Sequence, residues 1–199
     1  MELSSRESLL KVKLIEFYKD PSNLKIFLPI ILQQTRLSLR SLDWFVTNYS
    51  KKYNTNFIVN KNGNDISYFP FKSYKSQLKA YSKKFCDPFC RRDRVVFDYL
   101  NMNILDFKPD IKLGHKDYII TTIGQLNFFR FAIQDNIIKY AIENIEEIEN
   151  DMNGTLKQRE TEKKSGTFME LKSIKRKELS VPGNKSVHIT RISAVIKFV

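Results

Sequence analysis

Between Lys72 and Arg94 the chain carries Lys72, Lys75, Lys79, Lys83, Lys84, Arg91, Arg92 and Arg94 against two carboxylates, Asp87 and Asp93. The net of +6 is half of the +12 borne by all 199 residues. Closely spaced cations neutralise phosphates and gain free energy by releasing counterions. Lys does this as a point charge; Arg adds a planar fork that grips two oxygens at once. At 100° per residue, Tyr74, Leu78, Tyr81 and Phe85 fall on one apolar stripe. Lys72, Lys75, Lys79 and Lys83 fall together on the opposite side. The spacing therefore predicts an amphipathic helix with an outward basic ridge, broken at Asp87-Pro88 and followed by an Arg cluster. With its aromatics turned inward, such a surface suits phosphate contact rather than base reading. A solvated charged face that only keeps the protein in solution is the plainer alternative.

The same stretch holds both cysteines, Cys86 and Cys90, around Pro88. Zinc would need two further ligands, and only His115 and His188 exist besides carboxylates. Neither stands in a ligand pair, so two reduced cysteines and no bound metal are expected. The chain lacks a phosphate-binding Gly-rich loop, a nucleophile elbow and a helical His-Glu-x-x-His. One weak catalytic pattern remains: Asp110 and, far along the chain, Glu170-Leu171-Lys172. In metal-dependent nucleases two carboxylates hold Mg²⁺ and a Lys assists the attacking water. The gap is long and "ELK" is common by chance, so the expectation is a protein without catalysis and without a cofactor.

A second basic stretch contains Lys172, Lys175, Arg176 and Lys177. On a strand edge, lysines also deter aggregation. Opposing both is "ENIEEIENDM", with Glu143, Glu146, Glu147, Glu149 and Asp151. These are expected in the C-terminal half of a helix running from about 136 to 152, where the macrodipole disfavours anions. A basic surface, in this chain or another, would offset them.

These groups need elements to hold them. Ser4 and Glu7 have capping-box spacing and open a helix to about Tyr18 with Leu10, Leu14 and Phe17 on one face. "NLKIFLPIIL" is undecided between a strand and a buried connection. A stronger helix follows from about Thr35, with Leu39, Leu42, Phe45, Val46, Tyr49 and Tyr53 on one face. Trp44 projects to its polar side and is expected under another element. Asn62-Gly63 supplies the positive φ angles of a tight turn, placing a β-hairpin at about 55–69. Residues 98–117 read as irregular. Thr122 and Gln125 open a helix apolar nearly all round, hence a core helix. Residues 153–167 are polar and charged and read as a mobile loop. Pro182-Gly183 centres a second hairpin at about 169–198, with a β-bulge near Arg191 to Ser193. The fold class is α+β, a helical core with two hairpins, as a single domain over 1–199.

Length and composition agree with a packed core: 42% hydrophobic and 13% aromatic residues are too apolar for a disordered chain. Two cysteines do not make a disulfide framework. The first twenty residues are too charged for a signal peptide, and the most apolar run, Ile26 to Leu32, is too short to span a bilayer. A reducing, non-secretory location without a membrane span is expected.

Four blocks, "SLRSLDWFVTNYSKKYN", "SYKSQLKAYSKKFCDPFCRRDRV", "ITTIGQLNFFRFAI" and "KRKELSV…KSVHITRISAVIKF", resemble uncharacterised proteins of giant, nucleocytoplasmic large DNA viruses. The resemblance runs from about Leu37 to Phe198 and carries no activity or catalytic residue across. It implies a viral protein of the host cytoplasm or nucleus, at the virus factory, and a place in the virion. The leading expectation is a basic, non-enzymatic protein that binds nucleic acid or another polyanion through the Lys72–Arg94 cations, in packaging, the virion core or late gene expression. The alternative is a minor capsid or scaffold protein whose surfaces meet acidic or other virion proteins. A metal-dependent nuclease is third.

Overall fold

The computed structural model describes residues 5–164 apart from 62 and 112. Backbone packing divides the chain into two units, Met1–Gln158 and Arg159–Val199. The architecture below is that of the first. The hairpin expected at 169–198, its bulge and the cations Lys172, Lys175, Arg176 and Lys177 lie outside the described residues.

Helix α1 (Ser5–Tyr18) buries Leu10, Leu14 and Tyr18, spaced four apart. Helix α2 (Pro21–Ile31) replaces the undecided strand or connection. Asp20 is its N-cap, accepting from the Ser22 amide at 2.9 Å, and Pro21 fills the first turn, where no N–H is needed. Next come α3 (Leu39–Trp44), a π-helical turn (Phe45–Tyr49) and α4 (Ser50–Lys52). Leu42, Phe45, Val46 and Tyr49 are buried there as the spacing predicts. Strands β1 (Phe57–Lys61) and β2 (Asn64–Tyr68) pair antiparallel, Val59 opposite Ile66, with Gly63 at φ 80° in the turn.

Helix α5 (Pro70–Phe85) leads into a three-stranded antiparallel sheet in the order β4-β3-β5. Its strands are β3 (Arg94–Asp98), β4 (Asn103–Asp106) and β5 (Tyr118–Thr122). Strand β4 corrects the reading of 98–117 as irregular at Asn103–Asp106; its partner strands lie at or beyond the ends of that range. Val95, Val96 and Phe97 are all buried, so β3 lacks the polar alternation by which a strand is recognised. Asp98 closes the β3–β4 turn by accepting from the amides of Leu100 and Asn101.

Helix α6 (Ile123–Gln134) is the core helix that its composition demanded. Thr122 caps it, accepting from the Gln125 amide at 3.1 Å. Elements α1, α2, α5, α7 and β5 all pack on it. Tyr18, Phe27, Phe97 and Phe129 meet at its centre with ring centroids 4.9 to 6.4 Å apart. All four are fully buried, each contributing about 2–3 kcal/mol of apolar transfer free energy. The chain then forms α7 (Ile137–Glu143) and α8 (Ile145–Lys164).

Two expectations are corrected here. The helix expected over 136–152 breaks at Asn144, the C-cap of α7. Glu146 and Glu147 therefore stand in the first turn of α8, where the macrodipole favours anions. Residues 153–164, expected as a charged loop, continue α8. The run is rich in Lys, Gln, Arg and Glu, all strong helix formers, and Gly154 sits in open space. With helices packed around two small antiparallel sheets, the fold class is α+β.

Candidate nucleic-acid interface

The basic ridge of α5 exists only as far as Tyr81. Lys72, Lys75 and Lys79 are exposed, while Tyr74 is buried and Leu78, Tyr81 and Phe85 are half-buried on the inner face. Lys72 also lies 4.2 Å over the Phe69 ring. At Ser82 the backbone leaves the helix (φ 62°, ψ 170°). Lys83 therefore does not continue the ridge, as a straight wheel predicts. Lys83 and Lys84 lie past this kink in the last residues of α5, and the loop that follows carries Arg91 and Arg92 and enters β3 at Arg94; all five cations are exposed.

Core residues hold this loop by its carbonyls. Asn127 Nδ2 donates to Phe85 O at 2.6 Å, Tyr74 Oη to Cys86 O at 2.9 Å, and Gln125 Nε2 to Pro88 O at 3.1 Å. Asp87 accepts from the Phe89 amide at 2.8 Å. Gly124, in the first turn of α6, makes the approach feasible. A Cβ there would stand 2.7 Å from Lys84 O and 3.2 Å from Asp87 O, both backbone atoms. The Arg and Lys side chains thus rise from a backbone fixed to the core. The sequence signal for Gly124 was present, a glycine inside an otherwise apolar helix start, but its partner lies forty residues away. Nothing in the sequence pointed to Asn127 and Gln125 as loop holders.

The charges divide. Lys84 pairs with Asp93 at 3.0 Å and with Glu7 at 3.7 Å, so it is less available than its neighbours. The bond to Asp93 and the nearby Glu7 push its ammonium pKa up. Among the described residues, Lys75, Lys79, Lys83, Arg91, Arg92 and Arg94 make no ion pair.

The acidic stretch does not reach these cations. Arg36 donates to Glu146 at 3.1 Å and to Glu149 at 3.3 Å. Asp151 accepts from Trp44 Nε1 at 2.9 Å, from Tyr53 Oη and from Lys52. Tyr49 donates to Glu147 at 3.0 Å. The expectation that Trp44 is covered holds, and α8 covers it.

Cys86 is buried and its thiol is pushed up to about 12, mainly by burial. Cys90 is half-buried, its sulfur 3.9 Å from Arg92 O. His115 lies elsewhere, 3.2 Å from Asp98 beside the β3–β4 turn. Among the described residues no group of three or more His, Cys, Asp or Glu could hold a metal ion. Asp110 is exposed in the loop after β4, whereas Glu170 and Lys172 lie outside the described residues. Among the described residues no helix is long and apolar enough to cross a membrane.

Residues 3–196 match the model of a family of unknown function, DUF7197. Over 167 residues the chain is 36% identical to the "Uncharacterized protein L507" of Acanthamoeba polyphaga mimivirus, which covers 82% of this chain. The chain spans 60% of the length of that relative. No solved structure matches the chain. With nearly its whole length matched, and with a giant-virus relative as the four sequence blocks implied, the chain belongs to the DUF7197 family, in a protein group of giant DNA viruses.

Proposed function

We propose that this protein binds nucleic acid through the phosphate backbone, without catalysis, at the surface formed by the α5 ridge and the loop into β3. The observation that carries the reading is six exposed cations without ion pairs among the described residues, three of them, Arg91, Arg92 and Arg94, on the loop and its entry into β3, a loop held to the core by its carbonyls. A fixed array loses less side-chain and backbone freedom on binding than a floppy tail. Such binding suits packaging, the virion core or late gene expression at the virus factory in the host cytoplasm or nucleus.

The test is fluorescence anisotropy with labelled DNA and RNA across a salt series. Log affinity should fall with log salt at a slope of roughly −4 to −5, about 0.7 to 0.9 per phosphate neutralised by the six cations. A variant with Lys75, Lys79, Lys83, Arg91 and Arg92 changed to Gln should lose most of that slope. Absence of binding at low salt, or equal binding by the variant, overturns the reading.

A second reading, a minor capsid or scaffold role, draws on a different surface. Ile26, Ile133, Ile138 and Ile142 line an apolar hollow, and Ile26 and Ile142 are 40% and 53% exposed. If that hollow seats another virion protein, Ile142→Lys abolishes co-assembly and leaves nucleic-acid affinity unchanged.

A further inference from the structure

The basic surface does not stop at α5. A hollow of about 480 Å³ lies between α1 and the end of the Lys ridge. Arg6, Leu9 and Lys13 line it from α1; Lys79, Tyr81 and Phe85 line it from α5. Among the described residues no carboxylate lines it. Arg6, Lys13 and Lys79 are exposed, and so is Leu9, an apolar side chain 60% open beside two cations.

Two further observations mark the place. Arg130, from α6, donates to Tyr81 Oη at 3.3 Å and carries its guanidinium 5.8 Å from the Tyr81 ring centroid. Its buried Nε has no hydrogen-bond partner among the described residues. A fourth cation therefore adds its field at the ring. Ser82, which also lines the hollow, holds a backbone conformation that belongs almost solely to glycine. Strain of that kind persists where the surroundings impose it, and it collects at binding sites.

Cations around an aromatic and apolar floor fit a ligand that is flat and apolar in one part and anionic in the next. We infer that the hollow takes an unpaired base of single-stranded nucleic acid against Tyr81 and Phe85, with the flanking phosphates on Arg6, Lys13 and Lys79. The inference rests on the phosphate-binding reading above and adds a preference for single strands. A duplex keeps its bases paired and stacked and can offer this site only phosphates. Every base has a π face, so the preference is tolerant of sequence.

The experiment compares a labelled single strand with the matching duplex, and with vesicles containing phosphatidylserine. Four proteins are used: the intact chain, Tyr81→Leu, Arg6→Gln with Lys13→Gln, and the five-residue variant described above. The single strand should bind at least about fivefold more tightly than the duplex, the range of one stacked base. Tyr81→Leu should erase that ratio. Because Tyr81 also packs on the core, Arg6→Gln with Lys13→Gln provides a second readout at exposed sites, lowering the single-strand salt slope by roughly 1.4. Equal affinity for both forms, with the α1 variant unchanged and the five-residue variant inactive, overturns the inference and leaves the phosphate reading standing. Binding to vesicles alone overturns it in favour of a lipid headgroup. Binding to none of the three removes both readings.

Discussion

Two charged regions of this molecule look alike in the sequence and differ in the fold. At the acidic end, α8 presents its carboxylates to Arg36, Trp44, Tyr49, Lys52 and Tyr53 of its own chain. At the basic end, most of the cations between Lys72 and Arg94 have no carboxylate partner among the described residues. One region uses charge to join elements. The other is joined to the core through backbone carbonyls and keeps its side-chain charge outward. Local charge density therefore does not identify an interface; what the core does with the backbone beneath the charges does.

The comparison breaks most readily at Gly124. Gly124→Ala pushes a methyl against two backbone carbonyls of the basic loop, neither of which can rotate away. We expect a loss of about 3 kcal/mol in chemical denaturation, the upper range for overpacking. Nucleic-acid affinity should also fall at pH 7 in protein that remains folded, because the loop no longer holds Arg91 and Arg92 in place.

Two carboxylates, Asp43 of α3 and Asp151 of α8, should answer pH with opposite sign. Burial, and secondarily the Asp87 carboxylate, push Asp43 up to about 6. A carboxylate raised on folding opposes the fold as it ionises, so stability falls as pH rises from about 4 to 6. Asp43→Asn should therefore be more stable than the intact chain by on the order of 2 kcal/mol at pH 7, with no difference at pH 4. Asp151 is the counterpart. Burial acts to raise its pKa, but hydrogen bonds from Lys52, Trp44 and Tyr53 together hold it below the ordinary carboxylate range. A depressed carboxylate stabilises above its unfolded pKa and loses that contribution as pH falls below about 4. Asp151→Ala should cost about 1.5 kcal/mol at pH 7, from the hydrogen bonds lost to Lys52, Trp44 and Tyr53, and less at pH 3. Urea denaturation across pH reads both.

Ser82 sharpens the comparison at smaller amplitude. Glycine adopts its backbone angles without steric cost, so Ser82→Gly should raise stability by about 1 kcal/mol, strain relieved less the entropy of a freer unfolded chain. If the strain serves the hollow, single-strand affinity stays the same or falls while the unfolding midpoint rises.

Where one helix face or one turn decides the outcome, the sequence was readable. The Asn62-Gly63 hairpin, the all-round apolar α6 and the Tyr74–Leu78–Tyr81 stripe follow from local periodicity and turn chemistry. The stretch around Pro29 was undecided because a short apolar run has no period that chooses between elements. Here the Asp20 cap and Pro21 start the helix, and the buried Phe27 and Ile30 hold it. Strand β3 was hidden because both its faces are covered. The bend at Ser82 and the break at Asn144 are single-residue events that no period announces, and each reverses the meaning of the charges after it. The basic loop's anchors and the α1 side of the hollow depend on contacts between residues 12 to 79 apart, which a linear reading does not pair.

The smallest expected effect is at Arg36. It forks between Glu146 and Glu149, and the two carboxylates push its already high pKa further up. Its side chain is 57% exposed, however, and an exposed pair of this kind is screened by salt and opposed by side-chain entropy. Arg36→Gln should leave the unfolding midpoint unchanged at 0.15 M salt and lower it only at low ionic strength. It should leave nucleic-acid affinity untouched, since its partners stand on α8 and not beside the ridge. If Arg36→Gln instead strengthened or weakened nucleic-acid binding, the acidic carboxylates would be competing for the same cations. The division between an internally paired end and an outward-facing end would then be wrong. The two-carboxylate fork at Arg36 is therefore the place where a null result carries most information: it separates charge that joins elements from charge that meets a partner.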